Sequence, residues 1–158
     1  MDNKLTGTTK SLLDEYRKAI EELIGVITPL TKEEIICVRD NNTEDPNCTS
    51  IQTILTHVVY AGYAYMVFIE NHAGKISERQ PKKYFEDAID YTKALKAMFE
   101  YSKNFFIDHA SLPLQEEHGH KKILTNWGQE YDVEQMMEHA IVHVLKHRRQ
   151  VQRMLEQA

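Results

Sequence analysis

A chain of 158 residues, 42% hydrophobic and 27% charged, has the make-up of an ordinary globular protein and fits one domain, 1–158, with a real core. Its formal net charge of −5 argues against a nucleic-acid partner, since such binders carry a basic face. No apolar run is long enough to cross a bilayer and no apolar segment of signal type follows the N-terminus, so the expected location is the cytoplasm, with no membrane partner.

The first predicted helix runs from about Thr8 to Leu30. Leu12, Leu13, Tyr16, Ile20, Leu23, Ile24 and Ile27 recur at three- and four-residue steps, and Pro29 marks its end. Thr31 with Glu34 three residues on has the form of a capping box for a short turn of helix. The segment 37–48 is polar and turn-rich, and reads as a connection. Its two cysteines, Cys37 and Cys48, lack CxxC spacing and read as free thiols.

A second helix starts at Thr49 or Ser50, both good N-caps, and stops near Gly74. It is apolar almost all round, which predicts the most buried helix. Tyr60, Tyr63, Tyr65 and Phe68 offer more apolar surface than one helix face needs; that points to a symmetric homodimer, with core filling as the other reading. Pro81 introduces a third helix, about Lys82 to His109. A long connection follows, with Pro113, Gly119 and Gly128, and the last helix runs from the cap Asp132 to the C-terminus. No segment reads as a strand. Four helices of this length make an all-α fold, an antiparallel four-helix bundle.

The chemistry lies in the histidines. On the last helix His139, His143 and His147 fall at i, i+4 and i+8 and stack along one face. With His143 at zero and about 100° per residue, the apolar residues fill an arc from about 20° to 160°. His147 falls inside that arc at about 40°, and His139 outside it at about −40°. His143 and His147 therefore point inward better than His139, with the one-turn spacing of a metal-binding pair. His57, in the run Ile54-Leu55-Thr56-His57-Val58-Val59, is the candidate on a facing helix. A histidine in so apolar a run needs partners; a hydrogen-bonded core histidine and a metal ligand both satisfy that need. His72 and His109 lie near helix ends, and His118 and His120 lie in the long connection, where solvent is the expected neighbour. The basic stretch Lys146, Arg148, Arg149 and Arg153 also suits the negative end of a helix dipole.

The segment 131–150, with His147-Arg148-Arg149-Gln150 near its end, resembles the last helix of the DinB/YfiT-like superfamily, whose signature is His-Arg-Gly-Gln-like. Arg149 stands where that signature has glycine. The Ile54-Leu55-Thr56-His57 run and Trp127-Gly128 also look like elements of the family. The family name derives from a DNA-damage-inducible gene and is unrelated to the polymerase of the same name. The resemblance implies a bundle of up-down-down-up type and a divalent metal held by His57, His143 and His147. Family members of known activity include thiol-dependent S-transferases and a maleylpyruvate isomerase, and many members form dimers. Three imidazoles suit zinc or nickel, with iron, manganese or copper as alternatives, and leave a coordination position open. The implied function is a metal-dependent enzyme, a thiol S-transferase or hydrolase, acting on a small-molecule substrate, with low-molecular-weight thiols among the candidates. His139 and Glu138 are the candidates for moving protons beside the metal. The rival reading is a non-catalytic, metal-stabilised stress-response or ligand-binding module.

Overall fold

The periodic segments become four long helices in a computed structural model that describes residue 5 and residues 7–116 and 121–157. Helix α1 spans Gly7–Ile27 and buries Leu13, Tyr16, Ile20, Leu23 and Ile27, the stripe its periodicity predicts. Helix α2, Lys32–Ile36, opens on a capping box between Thr31 and Glu34. After it the chain forms a single 3-10 turn at Pro46–Cys48, capped by Asp45, and Val38 makes an isolated antiparallel bridge with Ser50. Helix α3, Ile51–His72, is capped by Ser50 and is the most heavily buried, as its composition predicts. Gly74 just beyond it takes φ +89°, the left-handed conformation that ends helices. Helix α4 spans Ala88–Asp108, and α5 spans Val133–Glu156 with Asp132 as its cap.

Side-chain pairs fix the direction of each helix. Lys32, just after α1, pairs with Glu86, just before α4, while Tyr16 and Phe99 meet near the two midpoints. These helices are therefore antiparallel. Thr56 meets Tyr91 near the starts of α3 and α4, and Glu70 meets Tyr101 farther along both, so α3 and α4 run the same way. His57 meets His147, and Tyr65 meets His139, so α3 and α5 are antiparallel. The result is up-down-down-up.

This topology corrects the predicted start of the third helix. Helix α3 has 22 residues and is about 33 Å long. A parallel α4 requires the chain to travel that length back before it begins. Residues 73–81 alone reach about 30 Å when fully extended, whereas 73–87 reach about 50 Å. Residues 82–87 therefore stay extended, and α4 starts only where the Asp87 side chain accepts the Asp90 N–H. The crossover is clamped to α3 and α4: Gln52 Nε2 of α3 donates to the Phe85 carbonyl at 2.8 Å, and the Phe85 N–H donates to Tyr91 Oη of α4.

The absence of strands needs a smaller correction. Ile123–Leu124 (β1) and Glu130–Tyr131 (β2) form a two-stranded antiparallel hairpin, with Ile123 opposite Tyr131. Strands of two residues are too short to show a period-two pattern. Gly128, at φ +84°, makes the turn between them.

The aromatic residues of α3 have partners within the protomer. Tyr65 is buried, Tyr63 packs edge-on to Tyr101, and Phe68 lies against Trp127. Lys82 sits over Tyr60 and Arg79 over Phe68. Among the described residues no helix is long and apolar enough to cross a membrane.

Candidate metal centre

Two caps and one crossing angle bring the three histidines together. Ser50 fixes the start of α3, placing His57 in its second turn. Asp132 fixes the start of α5, which stacks His143 and His147 one turn apart. Because α3 and α5 run antiparallel, His57 faces that pair. His143 Nε2 lies 3.0 Å from His57 Nε2, and the ring centroids are 4.9, 5.1 and 4.4 Å apart. One ligand atom from each ring falls within 4.8 Å of the others, an arrangement that could hold a metal ion. Nitrogens about 2.0–2.1 Å from a tetrahedral ion stand about 3.3 Å from one another, so the cluster needs only small side-chain movement to fit one.

The protonation states suit ligation. Burial, followed by the neighbouring His147 and Lys82, holds the His57 imidazole down at about 4. Burial pushes His143 lower still, reinforced by His147 and His57. Burial also lowers His147, against a raising contribution from Gln150. All three rings are neutral at pH 7 and present lone pairs with no proton to displace. Lys146 is close enough for its charge to act on each of them.

Gln150 sets the direction of one lone pair. His147 Nδ1–H donates to Gln150 Oε1 at 2.8 Å, which leaves Nε2 unprotonated. His147 is 3% exposed, so water cannot take over that role. Gln150 stands at i+3 from His147 in the family-like signature, and that spacing is the one sequence signal that could have marked it.

The cluster forms one wall of a cleft of about 630 Å³, open to solvent. Facing it from the 3-10 turn are Asp45 and Cys48, which no sequence signal joins to the histidines. Cys48 Sγ donates to Asp45 Oδ2 at 3.4 Å. Burial pushes the Cys48 thiol up, so it is protonated at neutral pH. The Asn47 N–H, donating to Asp45, holds that carboxyl below its ordinary value and keeps it ionised. Lys146, between the two α5 histidines, and Arg149, Gln150 and Arg153, beyond them, line the rest of the cleft.

The other histidines lie elsewhere. His139 is half-buried in an aromatic cluster, stacked on Trp127 at 4.8 Å and edge-on to Tyr65 at 5.2 Å. Tyr65 also meets His143 at 5.5 Å, so one ring separates His139 from the cluster. Glu138 is exposed, and neither residue lines the cleft. His72 pairs with Glu116 at 2.6 Å, and His109 stacks on Phe105 at the end of α4. His118 and His120 lie outside the described residues.

The model of the DinB family matches residues 1–158, the whole chain. No curated protein and no solved structure matches the chain. The chain belongs to the DinB family.

Proposed function

We propose that this DinB-family chain is a metal-dependent enzyme acting on a small molecule, by thiol transfer or hydrolysis, through a divalent ion held by His57, His143 and His147. The observation that carries the reading is the convergence of three neutral imidazoles on the wall of an open cleft. Among the described residues no fourth histidine, cysteine or carboxylate joins them, and a ligand set of three is the pattern of catalytic sites that keep a position for water or substrate. When bound, the ion supplies an ionised water or thiol as nucleophile at neutral pH. Zinc and nickel are the proposed metals, since neutral imidazole suits both.

The chain's own residues do the rest. Gln150 holds His147 in the tautomer that presents Nε2. Cys48, protonated, is not itself an ionised nucleophile. A proton-moving role for His139 or Glu138 requires a substrate that reaches past His143, because neither lines the cleft. The structural alternative is that the metal only staples α3 to α5; the solvent-open cleft beside the cluster favours the catalytic reading.

Bound metal measured by ICP-MS tests the site. About one zinc or nickel per chain is expected in the wild type, with loss in the variant carrying His57→Ala, His143→Ala and His147→Ala. Full occupancy in that triple variant sinks the proposal. For the activity, metal-loaded protein is assayed with low-molecular-weight thiols plus electrophiles, and with esters and amides. Turnover that disappears with the metal is expected; inertness toward the whole panel favours the structural staple.

A further inference from the structure

We infer that the occupant of this cleft is an anion: a small molecule bearing a carboxylate or phosphate group that docks on Lys146 and Arg153 while its other end reaches the three histidines. This rests on the proposed metal site and adds the class of its ligand.

Charge balance is the first argument. Three neutral imidazoles bring no negative charge to a divalent ion. Around them the cleft places Lys146, Arg149 and Arg153 against the single carboxylate of Asp45. In a chain of formal net charge −5, this is a local reversal of sign. A cleft lined by one sign of charge focuses its field and concentrates ions of the opposite sign. Adding a divalent ion raises the positive charge further, and among the described residues Asp45 is the one carboxylate lining the cleft to offset it.

Second, the helix dipole accounts for Arg153 but not for Lys146 or Arg149. Its favourable effect is confined to the last turn. Helix α5 ends at Glu156, so Arg153 lies in the last turn, but Lys146 lies nearly three turns earlier and Arg149 about two. Arg149 has a partner in Glu156 at 3.5 Å. Lys146 and Arg153 form no ion pair within 4.0 Å among the described residues, and both are exposed toward the cleft. At about 100° per residue, with His143 at zero, Lys146 and Arg153 fall near −60° and −80°, a cationic strip on α5 beside the ligand face. Lys146 stands level with the ligands and Arg153 nearly two turns beyond His147, and both line the cleft, so a molecule whose anionic group lies between them borders the imidazoles. Arg and Lys both suit carboxylate and phosphate oxygens through charge-assisted hydrogen bonds.

Isothermal titration calorimetry of zinc-loaded protein at low salt tests this, with succinate and inorganic phosphate as probes and succinamide as the neutral control. Succinate or phosphate is expected to bind, and succinamide not to. The variant Lys146→Gln/Arg153→Gln is expected to weaken anion binding about tenfold, the effect of losing two solvent-facing charge contacts. Its zinc content and melting temperature should stay unchanged, because both side chains are exposed. Anion binding to the wild type should also weaken as salt is raised. Equal anion affinity in variant and wild type, or equal binding of succinamide, overturns the inference and leaves the metal site standing. Zinc absent from the wild type, with anion binding kept and still dependent on Lys146 and Arg153, supports the anion site and removes the metal reading instead.

Discussion

Replacing Gln150 by Leu leaves all three imidazoles in place and removes the acceptor of the His147 Nδ1–H bond, along with a side-chain contact to Cys48. The structure sets the size of the effect in two ways. The bond is 2.8 Å long, ordinary for N–H···O, and His147 is 3% exposed, so the orphaned N–H finds no water. A buried donor left without a partner costs about 1–3 kcal/mol. Independently, the partners that orient metal-bound histidines are typically worth about 10–100-fold in affinity, which is about 1.4–2.7 kcal/mol. The first cost falls on the fold, with or without zinc; the second falls on the metal, so zinc binding should weaken about 10–100-fold in Gln150→Leu. The assay is zinc competition against a chromogenic chelator at fixed pH, with a thermal melt of the metal-free protein alongside. Gln150→Glu keeps an acceptor and should retain wild-type affinity or better. Gln150→Leu with wild-type zinc affinity would refute the reasoning, since it would mean that Nδ1 plays no part in directing Nε2. The metal-free melt reads the orphaned donor, and the zinc competition reads the site.

Two further predictions concern the frame that holds the site. Glu70 is buried at 0% exposure and accepts hydrogen bonds from Lys75 Nζ at 2.7 Å and from Ser77 and Tyr101. Burial alone would raise its carboxyl, but these three donors outweigh that and hold it below the ordinary 4.5. A depressed folded value means stability that is full above pH 4.5 and is lost as pH falls through the folded value. Glu70→Gln should therefore cost about 1–2 kcal/mol at pH 7 by urea denaturation, and the gap should close in acid; a gap constant with pH would rule out the linkage. Gly62 lies where α3 meets α4 so closely that an added Cβ would stand 2.0 Å from Met98 Sδ. Gly62→Ala should destabilise by about 1–2 kcal/mol, the overpacking cost less the helix-propensity gain, and Met98→Ala in the same chain should remove the clash term; a Gly62→Ala protein as stable as the wild type would contradict it.

Much of the frame was legible because helical periodicity and caps are local signals. Thr31, Ser50 and Asp132 each announced a start that the structure uses. The boundary at 82–87 was not legible, because nothing in that run forbids helix. What keeps it extended is the distance the chain must cover between two parallel helices, a property of the whole bundle. The hairpin at β1 and β2 escaped because two-residue strands carry no pattern, and its role, presenting Trp127 to His139, depends on where α5 lies.

The site divides along the same line. His143 and His147 share a helix, so their angular position could be worked out from spacing alone, and the same arithmetic kept His139 apart from them. The structure puts His139 behind Tyr65, in agreement with that geometry. His57 needed either the resemblance or the fold, since a lone histidine on an apolar helix has two explanations until its neighbour is known. Asp45 and Cys48 offered no signal, because a turn nine to twelve residues before His57 in sequence can face any direction. What points it at the cluster is tertiary: the Val38–Ser50 bridge, the Lys82 contact to Asn47, and the Asp45 cap of the turn. Lys146 and Arg153 show the converse. They were visible in the sequence and were absorbed by the helix dipole, an explanation that the position of Lys146, nearly three turns from the end of α5, no longer permits. A ligand set is thus readable where one helix supplies it, whereas the substrate side of the cleft depends on which loop the bundle folds against that helix.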